Sequence, residues 1–201
     1  MKIQLKKRIL ILCEDEKSSL LYFKGFKKDE EFKRKLQAID IEVYHPHNYS
    51  PVGLFEEAKE KIKKAKAEKN PYDETWLVFD KDGHQNIEHV YEAIRQSKSK
   101  IIKIAISNIC FEYWVLLHFE YTTKGFKNYD EIEKYLNKKK YFDKYAKKDD
   151  YFPFLKEKLE QAINHNKKLF ESLKDEPDFH KPYNLFAYTN IFELIKSIIL
   201  L

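Results

Sequence analysis

Short apolar runs of strand length alternate with stretches of helical period over the first 120 residues. Residues 8–13 (RILILC) form a continuous apolar run, which predicts a strand buried on both faces. Ser18 is placed to cap a helix over about 19–36, with Leu20, Phe23, Phe26 and Leu36 apolar. Residues 39–44 (IDIEVY) alternate as an edge or half-buried strand, and HPHNYSP then breaks the pattern. Ser50-Pro51 opens a second helix with Leu54, Phe55, Ala58, Ile62 and Ala65 on one face, ended by Asn70-Pro71. Residues 75–79 (TWLVF) are a further buried strand, followed by a polar helix around 86–96. Residues 101–106 (IIKIAI) are the next strand, and Ser107-Asn108 is placed to cap an apolar helix, ICFEYWVLLHF. Strand–helix alternation of this kind predicts an α/β fold whose mainly parallel sheet is covered on both faces.

From Tyr121 the strand signal disappears. Helices are predicted over about 155–173 and 191–201, joined by the connector EPDFHKPYN. Residues 1–120 are read as an α/β core, and 121–201 as a helical C-terminal region packed on it. Four glycines and six prolines exclude long flexible linkers. The net charge, 38 − 33 = +5, is a mild lean towards polyanions. No stretch approaches eighteen apolar residues and no signal peptide is visible, so a cytoplasmic protein with Cys13 and Cys110 reduced is expected. There is no GxxxxGK[ST] or GxGxxG, hence no nucleotide loop.

Three carboxylates stand where parallel sheets place chemistry, just past the carboxyl ends of buried strands. Glu14 follows the first strand, Asp80 the third, and Asp82 lies two residues on. With a strand order of 2-1-3-4 the three converge, and hard oxygen ligands of this type suit Mg²⁺ or Mn²⁺. Read blandly, Asp80-Lys81-Asp82-Gly83 is a turn after a strand. His84 is within reach of a phosphate or leaving group at such a site. His45 and His47 flank Pro46 with no third ligand nearby in sequence, and read as polar loop residues. His118, on an apolar helix, reads as a core histidine. Residues 134–148 carry seven lysines and one acid, interleaved with Tyr135, Tyr141, Phe142 and Tyr145. That stretch either tracks a phosphate backbone, through Lys138, Lys139, Lys140 and Lys144, or packs its aromatics beneath a solvated face.

These segments resemble those of RloB-like proteins. CEDEKSSLLYFKGF is similar to the family's first motif, an EGxxTE block followed by YF. WLVFDKDGH is similar to its DxD strand, and AISNICFEYWVLLHFE to its signature SNPCFEYWLLLHFE. NLFAYTNIFELIKSI resembles its closing TN–LI helix. The resemblance covers nearly the whole chain. Together with the four strands read above, it implies a TOPRIM-like core and a Mg²⁺-dependent nuclease acting on RNA (transfer RNA among the candidates) or DNA. It also implies a setting in anti-phage defence, restriction or abortive infection, beside a separate ATPase encoded nearby. Carried onto this chain, Glu14 would be ligand or general base, Asp80 and Asp82 ligands, and Lys17 or Lys81 a phosphate contact; Asn108 and Glu112 would line the cleft. This chain departs at Asp15 for glycine, Ser18-Ser19 for the TE pair and Ile109 for proline. Two other classes stay open: a non-catalytic subunit binding nucleic acid or the ATPase, and a phosphatase of the haloacid dehalogenase type, whose FDxDG motif usually sits in the first strand. Self-association is left open.

Overall fold

A computed structural model describes residues 6–82, 84, 86–97 and 100–199. Its centre is a five-stranded sheet of β1 (Lys7–Cys13), β2 (Ile39–Tyr44), β3 (Glu74–Asp80), β4 (Ile102–Asn108) and β5 (Tyr188–Thr189), in the order β2-β1-β3-β4-β5. The first four strands run parallel, and β5 joins β4 antiparallel, with Ser107 opposite Thr189 and Asn108 opposite Tyr188.

Both faces are covered, which is why the central strands read as unbroken apolar runs. Leu10, Leu12, Leu77, Phe79 and Ile106 face Leu54 and Ala58 of α3 (Pro51–Ala67) and Val90 and Ile94 of α4 (Ile87–Gln96). Ile9, Ile11, Trp76, Val78 and Ala105 face the other way. There they pack with α1 (Ser18–Lys28), α2 (Glu30–Lys35), α5 (Glu112–Leu117), α6 (Tyr129–Lys138), α7 (Phe152–Leu155), α8 (Leu159–Leu173) and α9 (Ile191–Ile199) in one continuous apolar cluster. No helix among the described residues is long and apolar enough to cross a membrane.

Several expectations need correction. The sheet has five strands, not four. β5 is two residues long, too short to carry a period, and its role is to tie α9 to β4. The Ser107 and Thr189 hydroxyls pair at 2.9 Å, and Asn190 accepts from the Ile106 N–H at 2.8 Å while donating to the Ile104 carbonyl at 2.9 Å. Ser107 and Asn108 are therefore strand residues and cap nothing; the apolar helix after them shortens to α5. The helix expected over 19–36 is two helices. Asp29 breaks it by taking the Glu31 and Phe32 N–H groups on one oxygen at 3.0 and 3.2 Å, an N-cap that restarts the chain as α2. The break lets α7 dock: a Cβ at Gly25 would run into the Phe152 ring, so only glycine admits this approach. The helix expected over 155–173 is α7, a 3₁₀ turn at Lys156–Lys158, and α8. α9 runs to Ile199, and residues 200–201 of the expected last helix lie outside the described residues.

Candidate functional site

The parallel pairing of β1 with β3, Cys13 opposite Val78, carries Glu14 to the end of β3. The Glu14 N–H donates to the Val78 carbonyl at 2.9 Å, and the Asp80 N–H donates back to Glu14 Oε2 at 2.9 Å. The other oxygen, Glu14 Oε1, pairs with His84 Nε2. β3 continues along β4 past its end, with Lys81 N–H on the Ser107 carbonyl at 3.0 Å and Asp82 N–H on the Ile109 carbonyl at 3.2 Å. The Glu14 carboxylate thus joins the backbone of Asp80 to the His84 imidazole at the carboxyl edge of the sheet, with the Asp80 carboxyl within electrostatic reach.

Glu112 reaches this group from below. It is fully buried at the start of α5, accepts a hydrogen bond from the Tyr145 hydroxyl at 2.9 Å, and faces the Lys147 ammonium at 3.6 Å. Lys147 also lies over the Tyr129 ring, 4.3 Å from its centroid.

Electrostatics follow from this crowding. Burial, then the charges of Glu14 and Glu112, push the half-buried Asp80 carboxyl well above the usual range; Lys147 opposes them, and Asp15 adds to the rise. The hydrogen bond to Glu14 raises the pKa of His84 against the effect of its burial, with Asp82 adding to the rise. Burial works against the charged form of Lys147, but Glu112 and Asp80 outweigh it and the pKa rises.

The sequence candidates divide accordingly. Glu14, Asp80 and His84 come together, and Glu112 lies within electrostatic reach of Asp80. Asp82 is solvent-exposed and acts on His84 only through its charge. Among the described residues no three His, Cys, Asp or Glu side chains form a ready metal cage. Lys17 is exposed, with its backbone N–H on Asp15 at 3.0 Å, and Lys81 is half-buried. Asn108 is buried with its side-chain NH₂ unpartnered, and the Asn108–Ile109 peptide is cis.

Asp15, in place of the family glycine, does not adopt a positive φ; among the described non-glycine residues only Lys69 and Lys140 do. Its carboxylate takes the Lys17 and Ser19 N–H groups at 3.0 and 3.3 Å and the Ser18 hydroxyl at 2.6 Å. The capping expected of Ser18 is therefore done by Asp15.

In the lysine-rich stretch, the aromatics pack. The hydroxyls of Tyr135 and Tyr141 both donate to Glu120, at 2.6 and 2.7 Å, and Lys139 pairs with the same carboxylate at 3.2 Å. Tyr141 stacks on Phe119, and Phe142 and Tyr145 are buried. Lys138, Lys140 and Lys144 remain exposed.

Sequence reasoning missed Lys147 and Tyr145 as partners of Glu112, and His45 as a neighbour of the site. His45 Nδ1 bonds the Cys13 carbonyl at 3.0 Å, one residue before Glu14. A signal existed for His45: it directly follows β2, the neighbour of β1 in the expected strand order.

Neither the curated proteins nor the solved structures include a match to the chain. The sequence model of the RloB-like protein family matches residues 9–198, nearly the whole length. The chain belongs to the RloB-like protein family.

Proposed function

We propose that this chain is a divalent-cation-dependent nuclease with a TOPRIM-like core, acting in anti-phage defence beside a separate ATPase. The observation that carries the reading is Asp80, a half-buried carboxyl at the end of a central parallel strand, crowded by Glu14 and Glu112. Like charges at such a site disfavour ionisation, and a bound cation relieves them. The strand order β2-β1-β3-β4, with acids after β1 and β3, also supports the reading.

The residues present suit Mg²⁺ or Mn²⁺, which need one or two carboxylates and fill the remaining positions with water and substrate oxygens. Asp80 would be the principal ligand, Glu14 the second and Asp82 an outer one. The metal supplies a polarised phosphate and a water of lowered pKa. Glu14, oriented by the Asp80 N–H, would hold the metal or, in its place as general base, stand ready to accept a proton at this edge. His84, biased towards its cationic form by Glu14, offers a proton to the departing oxygen.

A second reading, a non-catalytic binding subunit, is favoured by one feature: both Glu14 oxygens are already engaged, by the Asp80 N–H and by His84.

Co-expression with the neighbouring ATPase followed by phage challenge tests both. The nuclease reading expects growth arrest and cut RNA or DNA. It also expects a rise in melting temperature in millimolar Mn²⁺ that Asp80→Asn removes. Asp80→Asn should abolish cutting while the assembly still forms. Protection by Asp80→Asn equal to the parent's would refute the nuclease reading and leave the binding subunit.

A further inference from the structure

Beyond β2 the chain crosses the carboxyl edge of the sheet through residues 45–50 before α3 begins. This loop is braced. The Asn48 side-chain oxygen takes the Ser50 N–H at 3.3 Å and the Ser50 hydroxyl at 2.8 Å, and Ser50 Oγ takes the Gly53 N–H at 3.1 Å. A Cβ at Gly53 would strike Asn48, so the loop lies flat on the first turn of α3. His45 points inward, its Nδ1–H on the Cys13 carbonyl at 3.0 Å, and that bond fixes the ring plane.

Tyr49 lies nearly parallel to that imidazole, with a centroid separation of 6.0 Å and an interplanar angle of 16°. Tyr49 is 60% exposed, and the neighbouring Val52 is 43% exposed. Phe154 and Phe186 are exposed as well, so what marks Tyr49 among the described aromatics is its braced loop and the imidazole lying parallel to it. One of its faces is turned to His45. The plane is set by residues that reach the carbonyl of Cys13, immediately before Glu14.

We propose that Tyr49, backed by His45, is the stacking platform for an unpaired base of a single-stranded nucleic acid whose backbone passes the acidic edge. The inference rests on the proposed nuclease reading and narrows its substrate to single strands. A single flat ring offers no groove for a peptide side chain, whereas every nucleobase has a π-face that it can cover. Bases within a duplex are already stacked on both faces, so the platform discriminates against paired substrates. The lysine-rich segment contributes no such surface, because its aromatics are committed to packing around Glu120, Phe119 and Glu112.

The test uses the full chain with single-stranded RNA and DNA dodecamers and the matching duplexes, some labelled with 2-aminopurine, in Ca²⁺. Tyr49→Ala should weaken single-strand binding by about 5- to 150-fold, the range for stacking one base on one aromatic ring. It should leave duplex binding and the melting temperature unchanged and remove the quenching of 2-aminopurine. Tyr49→Trp should retain both affinity and quenching. A loss in the RNA arm alone supports the platform and identifies RNA; equal losses in both arms support it for either strand. Parent affinity in Tyr49→Ala, an equal loss on duplexes, or a parent that binds no single strand overturns the platform. Tyr49-dependent binding here, together with no cutting in Mg²⁺ when the chain is co-expressed with the ATPase and challenged with phage, would uphold the platform and refute the nuclease, so the two failures are distinguishable.

Discussion

Replacing Lys147 by Met removes the cation that faces a fully buried carboxylate. Glu112 keeps its hydrogen bond from Tyr145, but its other oxygen, Oε2, has no hydrogen-bond donor among the described residues and faces the Lys147 ammonium at 3.6 Å. Breaking a buried pair by deleting one partner costs about 3–5 kcal/mol, because the remaining charge is left uncompensated. Here the contact is longer than a hydrogen bond and the lysine side chain is 26% exposed, so the loss falls somewhat below that range. The expected loss is about 2–3 kcal/mol, or about 4–12 °C in melting temperature for a chain of this size. An exposed pair such as Lys33–Glu30 would give at most about 1 kcal/mol. Urea unfolding of Lys147→Met, Glu112→Gln and the double variant measures the coupling. The double variant should recover at least about 1 kcal/mol relative to additivity. Since the folded pKa of Lys147 is raised, its contribution is complete below the ordinary lysine value and is lost only as pH rises through the folded one. The difference between parent and Lys147→Met should therefore stay flat from about pH 6 to 9. A loss below about 0.5 kcal/mol with additive singles would refute this role for the buried pair.

Two further outcomes are expected. Burial lowers the pKa of His118 from 6.5 to about 4, with its ring held between the Trp114 carbonyl and the Tyr22 hydroxyl. The unfolded chain takes up a proton first, so stability is complete above about pH 6.5 and falls towards pH 4. Thermal melts of His118→Phe should show a flatter slope across that window, and parallel slopes would contradict the assignment. Replacing Lys138, Lys140 and Lys144 together by Gln should weaken nucleic-acid binding and reduce the salt slope by roughly 2, at about 0.7 per single-strand phosphate contact. Lys139→Gln should alter stability through Glu120 and leave that slope unchanged; an unaltered slope in the triple variant would make the segment a solvated face.

Much of the sheet was legible because its strands are buried on both faces. RILILC, TWLVF and IIKIAI are continuous apolar runs, and the acids Glu14 and Asp80 stand out because they end such runs. What escaped depended on contacts distant in sequence. β5 is two residues whose hydrogen bonds reach back to β4, more than eighty residues earlier. The restart at Asp29 was hidden inside a stretch whose apolar period runs on through it, and only the capping geometry reveals it. Lys147 looked like one lysine among seven, and no local pattern marks it as the one that folds back onto Glu112. The aromatics around it matched a stacking surface and a packed layer equally well, and burial decided for packing.

The substitution at Asp15 bears on where phosphate can be met. A helix N-terminus following a parallel strand is a natural anion site, because its first N–H groups point outward without partners. In this chain the Asp15 carboxylate already takes the Lys17 and Ser19 N–H groups, and Ser18 and Ser19 hold Asp15 in place through their hydroxyls. The start of α1 is thus partly satisfied and carries negative charge, so a phosphate gains less there. The groups able to balance an anion at this edge lie elsewhere, in the imidazole of His84 beside Glu14 and the ammonium of Lys147, whose charge acts on Asp80. On the proposed reading, a backbone crossing the edge would enter over the residues 45–50 loop, pass the end of β3 and face these two groups, leaving the first motif to position Glu14.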